Sequence, residues 1–241
     1  MLIFKTLGLK CVPFLPQIMR PYLNMMQTCP QGMVEFHFNN LAQLVSIVRQ
    51  HIRNYLDEIF ALIKDNWNLS SSIQVTSVSL ITAIAVSLEG EFKIYLPSLL
   101  PLMLVVFETE ADKEKDKDSK QPTKEVLTAF KRFGTTLEEY LHLVIPVIVR
   151  YLERPDVPVP LRKAAIQTVG QLCRKINFSD YASRIIHPLT RVISNPQTVA
   201  ELRPVIMDTL AALAYQLGPD YITFVVMVNK VYPSQKSSPV S

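Results

Sequence analysis

Residues 95–99 read Tyr95-Leu96-Pro97-Ser98-Leu99, which is an aromatic residue followed by leucine and an aliphatic run that holds a proline. Variants of this signature occur six times, and their leading aromatic residues are Phe14, Tyr55, Tyr95, Tyr140, Tyr181 and Phe224. The successive intervals are 41, 40, 45, 41 and 43 residues. Self-similarity at such a period indicates an array of repeated supersecondary units.

Glycines occur at one phase of this repeat. Gly8, Gly90, Gly134 and Gly218 precede their aromatic residues by six, five, six and six positions. Glycine readily adopts the left-handed backbone that ends a helix. Each unit is therefore predicted to be a helix, a tight turn and a second helix, and these glycines and the six aromatic residues are the predicted structural anchors of the repeat.

Apolar residues within the units recur with helical spacing. In residues 161–172 they lie at offsets of 3, 4, 8 and 11 from Leu161, on one helix face. We predict an all-α fold. One aromatic residue per unit at one phase predicts that the six rings form a core shared by neighbouring units, and the alternative is a stacking ladder for nucleic acid or peptide.

Composition narrows the function classes. The chain has 241 residues, 49% hydrophobic, which is ample for a packed core. Six glycines are too few for a phosphate-binding α/β fold or a β-sandwich. A net charge of +4 is too mild to indicate nucleic acid. No targeting segment or membrane span is expected, because the most apolar stretches are shorter than about 20 residues.

The longest repeat interval contains a charged segment at residues 108–121, with six acidic residues and four lysines. We expect a solvated flexible loop there, and a charged docking motif is the alternative. The predicted layout is three helix pairs in residues 1–107, of which the first is incomplete, then this loop, three pairs in residues 122–232, and a polar tail in residues 233–241.

Paired helices with a period near 40 are typical of HEAT repeats, so the expected architecture is a HEAT-repeat α-solenoid of about six pairs. Four strings narrow the resemblance: IFKTLGLKCV at residues 3–12, GEFKIYLP at 90–97, DYASRIIHP at 180–188 and MVNKV at 227–231. These strings are similar to the middle HEAT region of the target of rapamycin (TOR) kinase family, upstream of its FAT and kinase domains. The resemblance extends over residues 2–231.

The resemblance implies a fragment or truncated product of a serine/threonine kinase, serving as a non-catalytic scaffold in nutrient and growth signalling. Its partners would be TOR-complex subunits and a second TOR protomer. It implies a cytoplasmic location, peripheral on endomembranes or the lysosome within a complex, or a nuclear one. The alternatives are an unrelated HEAT adaptor, such as a transport receptor or phosphatase scaffold, and an enzyme built into the solenoid.

Catalytic machinery is missing from the sequence. There is no GxGxxG loop, no His-Arg-Asp loop and no Asp-Phe-Gly, so phosphoryl transfer has neither a phosphate cradle nor magnesium ligands. The four histidines lie in different repeats, and the three cysteines, Cys11, Cys29 and Cys173, are expected to be small buried hydrophobic residues. We predict no catalytic residue, cofactor or metal, no small-molecule substrate, no nucleic acid and no direct membrane insertion.

Overall fold

A computed structural model describes residues 2–109, 121–195 and 200–231. These residues are helical and contain no strand, and most of the predicted loop at 108–121 and the predicted tail at 233–241 lie outside them. The α-helices are α1 (Leu2–Leu7), α2 (Leu15–Thr28), α3 (Gln31–Val48), α4 (Leu56–Asn66), α5 (Ser71–Leu88), α6 (Leu96–Leu104), α7 (Val106–Thr109), α8 (Pro122–Phe133), α9 (Leu141–Glu153), α10 (Val159–Cys173), α11 (Ala182–Ser194), α12 (Leu202–Leu217) and α13 (Ile222–Val231).

A 3-10 helix joins the two helices of each pair. The six 3-10 helices of the described residues are Gly8–Phe14, Arg49–Tyr55, Glu89–Tyr95, Gly134–Tyr140, Ser179–Tyr181 and Gly218–Tyr221. Four of them have seven residues, so the connection is longer than the predicted tight turn. The described residues thus hold six helix pairs, α1/α2, α3/α4, α5/α6, α8/α9, α10/α11 and α12/α13.

The chain divides into two compact units, residues 1–137 and residues 138–241. In the first unit the leading helices α1, α3, α5 and α8 pack in sequence order, and α2 packs on α4. In the second unit α10 packs on α12, and α11 packs on both α9 and α13. First helices lying on first helices and second helices on second helices are the arrangement of a HEAT-type α-solenoid, as the sequence predicts.

Backbone with positive φ occurs at one phase of the repeat. The residues are Gly8, Arg49, Glu89, Gly134 and Gly218, with φ between 51° and 54°, and each lies six positions before its repeat aromatic. The prediction for Gly90 is wrong, because the neighbouring Glu89 carries the positive φ. The Glu89 N–H donates to the carbonyl of Ala85 and so ends α5. The register of the turn therefore fixes the conformation even where no glycine is present.

A fully buried position lies three residues before the repeat aromatic in the first five repeats. Its occupants in the first five repeats are Cys11, Ile52, Phe92, Leu137 and Phe178, and each is 0% exposed. The residue directly after the aromatic is also buried in these repeats, with Leu15, Leu56, Leu96, Leu141 and Ala182. Phe178 directly precedes its 3-10 helix, and each of the other residues lies in the 3-10 helix or at the first position of the second helix of its pair.

The six repeat aromatics do not form the core that their spacing suggests. Of the six, Tyr55 alone is buried, Phe14 is 52% exposed, and the other four are half-buried. The reason is their position, because in five repeats the aromatic residue is the N-terminal flanking residue of the second helix. There the ring packs between neighbouring helix pairs. The Tyr95 ring, for example, has its centre 5.1 Å from the centre of the Phe60 ring in α4.

The connection between α10 and α11 is held by a side chain from another pair. The Gln216 amide of α12 donates to the carbonyls of Cys173 at 2.9 Å and Ile176 at 2.6 Å. Its Oε1 accepts from the backbone N–H of Phe178 at 2.8 Å. Three backbone groups that the irregular segment leaves without helical partners are thereby satisfied. The positive φ found at the other five connections does not occur in the described residues of this one.

Candidate interaction surfaces

The histidines and cysteines take structural positions. Among the described residues, no group of three or more His, Cys, Asp or Glu side chains could hold a metal ion. His37 is nearly buried, and its Nδ1 lies 3.1 Å from the Tyr22 hydroxyl. Burial raises the pKa of Tyr22 to about 12. Cys11 and Cys173 are buried, as predicted, and Cys29 is intermediate.

One groove, of about 780 Å³, lies in the first unit across the first helices α3, α5 and α8. We call it the first-helix groove. Its walls carry cations at Arg49 and Arg132 and acids at Glu89 and Glu125. Burial raises the pKa of Glu125. Small side chains of α5 form much of the remaining lining. The mixed charge selects neither an anionic nor a cationic ligand.

A second groove, of about 590 Å³, lies in the second unit between α9 and α11. We call it the arginine groove. Its charged lining is Arg150 and Glu153 of α9 and Arg184 and Arg191 of α11, and His187 of α11 lies between these two arginines in the sequence. Its apolar lining is Pro146, Val149 and Pro188. Three arginines against one glutamate make this groove cationic.

One side of α11 carries Arg184, His187 and Arg191, because residues three, four and seven positions apart lie on the same face of a helix. Arg191 Nη1 donates to Glu153 Oε1 at 2.9 Å, and the Arg191 side chain is still 73% exposed. Arg184 forms no ion pair with any residue that the structure describes. The His187 ring meets the Phe224 ring of α13 edge to face, with 6.4 Å between ring centres. The groove therefore presents charge that the fold does not neutralise.

Several of the most exposed large apolar side chains lie near the two ends of the described chain. In α1 Leu2 is 80% exposed and Ile3 is 72% exposed. In α12 and α13 Tyr215 is 93% exposed, Ile222 is 74% exposed and Val226 is 67% exposed. Exposed apolar area of this kind is typical of surfaces that meet another element or protein.

Three helical stretches of the described chain are long and apolar enough to cross a membrane, judged by length and composition only. They are Leu2–Thr28, Ser71–Glu108 and Leu202–Asn229. Each includes a 3-10 segment between two α-helices, which makes it longer than the apolar runs that the sequence alone delimits. In Ser71–Glu108 half of the apolar window is already buried in the protein. The absence of membrane insertion stays a prediction.

None of the ten predicted anchor residues lines the arginine groove, and none lines the first-helix groove. The arginine groove lies along α9 and α11, whereas the first-helix groove also includes Arg49 and Glu89, which begin 3-10 helices. The sequence contains one signal for the arginine groove, which is the spacing of Arg184, His187 and Arg191 on one helix face. That signal is incomplete, because the facing residues of α9 lie more than thirty positions away in the chain.

Two family models match parts of the chain. A model described as the serine/threonine-protein kinase mTOR domain matches residues 1–49. A model described as importin subunit beta-1-like TPR repeats matches residues 125–240. The first match names a kinase family, and the second describes a helical repeat.

Similar proteins cover nearly the whole chain. It is 44% identical over 232 residues to the serine/threonine-protein kinase tor1 of Schizosaccharomyces pombe, a match that covers 96% of this chain and 10% of that protein. It is 40% identical over 228 residues to the serine/threonine-protein kinase mTor of Drosophila melanogaster, covering 95% of this chain and 9% of that protein. The chain therefore spans about a tenth of the length of the curated relatives it matches.

Among solved structures, the chain is similar to one in the Kap95:Nup1 complex, with a TM-score of 0.61 and 14% identity. The match covers 92% of this chain and 29% of that chain. At that identity the likeness supports the solenoid fold alone. The identities of 44% and 40% extend over almost all of the sequence, so this chain belongs, as a segment, to the family of TOR serine/threonine-protein kinases.

Proposed function

We propose that this chain is a non-catalytic helical scaffold segment of a TOR kinase, which holds protein partners at fixed spacing in TOR complexes. The observation that carries the proposal is the 44% identity over 96% of the chain, combined with a match to only 10% of the relative. The phosphorylation of serine and threonine, in response to nutrients and growth signals, would belong to the remainder of the parent polypeptide.

The fold supports a geometric role. Stacked helix pairs contact mainly their neighbours and present extended surfaces, which repeat proteins use for binding. The arginine groove and the exposed apolar side chains of α12 and α13 supply charged and apolar surface for partners. We propose TOR-complex subunits and a second TOR protomer as these partners, and a cytoplasmic location, on endomembranes or lysosomes when part of a complex, or in the nucleus.

An unrelated HEAT adaptor is the competing function. The importin-type repeat model over residues 125–240 favours it, together with a 26% identity over 93 residues to importin subunit beta-1 of Saccharomyces cerevisiae. That similarity covers only 38% of the chain. The TOR relatives cover 95% or more of the chain at higher identity, and we therefore place the adaptor second.

Co-purification separates the two functions. The tagged 241-residue chain is expressed in cells, and proteins bound to it are identified by mass spectrometry. A matched control is Phe130→Asp, which places a charge at a residue that is 0% exposed and so disrupts the stack. We expect TOR-complex subunits with the unchanged chain and none with the control. Recovery of Ran or a phosphatase catalytic subunit instead would support the adaptor.

A second measurement addresses catalysis. The purified chain is incubated with ATP and magnesium, and phosphate release is followed. We expect no turnover above the Phe130→Asp control, because the sequence has no nucleotide cradle. ATP turnover that the unchanged chain shows and the control lacks would contradict the non-catalytic role.

A further inference from the structure

We infer that the arginine groove between α9 and α11 binds an acidic peptide segment of a protein partner. The inference deepens the proposed scaffold function and rests on it, since it names the chemistry that one scaffold surface would recognise. It depends on the charge, the spacing and the apolar lining of the groove.

The charge is unbalanced towards cations. Arg184 has no ion pair within the described residues, and Arg191, the partner of Glu153, keeps a side chain that is 73% exposed. Guanidinium groups bind carboxylates with two parallel hydrogen bonds, and so favour anionic ligands. A ligand with carboxylates or phosphates would complement this set, whereas a basic ligand would find only Glu153.

The spacing suits a peptide. Arg184 and Arg191 are seven residues apart in α11, a rise of about 10 Å along the helix. A peptide in the polyproline II conformation brings residues three apart to the same side, at a separation of about 9 Å. A single peptide in this conformation, with acidic residues at every third position, would thus reach both arginines.

The lining adds apolar surface between the charges. Pro146 and Val149 of α9 and Pro188 of α11 lie in the groove together with the cations. Apolar side chains between the acidic residues of a peptide can lose water against them. The groove therefore suits a peptide that combines acidic and apolar residues.

A membrane fits this site less well. Glu153 lies among the arginines of the groove. A carboxylate at that position repels the phosphates of an anionic lipid surface, whereas a peptide can place its own acidic groups away from it. An anionic membrane is therefore the competing ligand, and the experiment has to distinguish it from a peptide.

The experiment measures fluorescence anisotropy of a labelled peptide of Glu-Pro-Val repeats with the full 241-residue chain. We expect binding that weakens as salt rises from about 50 to about 300 mM, because the attraction between charges is screened. The variant Arg184→Glu/Arg191→Glu should bind about tenfold more weakly or worse. Arg203→Glu, an exposed arginine of α12 outside the groove, should stay within about twofold of the unchanged chain.

A variant that binds the peptide more tightly is the more decisive test, because loss of folding cannot increase affinity. Glu153→Gln removes the acid that occupies Arg191 and should tighten peptide binding severalfold. Circular dichroism melts confirm that each variant is folded. A peptide of Lys-Pro-Val repeats should not bind.

Three results would overturn the inference. These are unchanged affinity in Arg184→Glu/Arg191→Glu, equal or weaker binding in Glu153→Gln, and binding to phosphatidylserine vesicles that needs Arg184 and Arg191 while the peptide does not bind. The co-purification described above can succeed when the peptide fails, because TOR-complex subunits can use other surfaces. Failure of the groove and failure of the scaffold function are therefore distinguishable.

Discussion

Gly170 of α10 lies so close to Thr209 of α12 that a Cβ atom built on Gly170 would be 2.6 Å from Thr209 Oγ1. Thr209 is 1% exposed, and its hydroxyl donates to the carbonyl of Val205 at 3.0 Å and approaches that of Ile166 in α10 at 3.3 Å. The first helices α10 and α12 approach closely here, because Gly170 has no side chain and Thr209 has a short one. This contact sets the spacing between the last two described repeats.

Replacing Gly170 tests this contact. Gly170→Ala should lower the free energy of unfolding by about 1–3 kcal/mol, because the added methyl group overpacks the interface. Alanine in an open helix position would have the opposite sign. The matched control is Gly32→Ala in α3, where nothing lies within 4 Å of the added Cβ, and a small gain is expected. Urea unfolding measures both variants.

The double variant Gly170→Ala/Thr209→Ala identifies the cause. Removing Oγ1 leaves Thr209 Cβ as the nearest atom, at 3.4 Å from the added Cβ. The cost of Gly170→Ala should therefore be smaller in the Thr209→Ala background than in the unchanged chain. An equal cost in both backgrounds would show that the hydroxyl is not what Gly170 accommodates.

Glu89 occupies a backbone conformation that residues with a side chain rarely adopt, with φ of 51°. Glu89→Gly should raise the free energy of unfolding by about 1 kcal/mol, because it relieves this strain at an exposed position. Thermal melting measures the change.

The neighbouring glycine is the control. Gly90 has no positive φ and no atom within 4 Å of an added Cβ, so Gly90→Ala should be neutral or slightly stabilising. Gly134→Ala, at φ of 53°, should be destabilising. If Gly90→Ala proved as damaging as Gly134→Ala, the turn would lie one residue later than the structure places it.

Phe178 and Tyr181 separate the two candidate core positions within one repeat. Phe178 is 0% exposed, whereas Tyr181 is half-buried. Phe178→Ala should cost about 3–5 kcal/mol, the range for aromatic truncation in a core. Tyr181→Ala should cost about 1 kcal/mol, which is typical of a position that keeps much of its hydration. If chemical denaturation showed a larger loss of stability for Tyr181→Ala than for Phe178→Ala, the repeat aromatics would be the core positions after all.

Alkaline pH should destabilise the second unit through Cys173. Burial raises the pKa of this thiol from 9.0 to about 12. Between these values the unfolded chain loses the thiol proton while the folded chain keeps it, so stability is fully present below pH 9 and falls as pH rises towards 12. Cys173→Ala should flatten this fall.

The measurement for Cys173 is the urea midpoint at several pH values for the unchanged chain and for Cys173→Ala. Cys29→Ala is the control, since Cys29 is less buried. A parallel fall in all three proteins would assign the alkaline sensitivity to other groups.

Several features of the fold were predictable because they depend on local sequence. The period near 40 predicts paired helices, and the structure confirms them as a HEAT-type α-solenoid. Pro122 begins α8 and Pro160 lies in the first turn of α10, where a missing N–H has little cost.

The arginine groove could not be assembled from the sequence. The spacing of Arg184, His187 and Arg191 places them on one helix face, but which helix lies opposite depends on how α9 packs against α11. The ion pair between Arg191 and Glu153 joins residues that only this packing brings together.

The sequence by itself determined the helices, their pairing and the family, because helical periodicity, the repeat interval and long strings of shared residues are all properties of the linear chain. Tertiary packing alone decided which aromatic rings are buried in the core and which pack half-exposed between helix pairs. It also decided that Glu89 rather than Gly90 takes the positive φ, and that α9 and α11 form a cationic groove. The physical reason is that burial and backbone strain depend on the neighbouring helix, and the side chains that meet there are separated by a whole repeat.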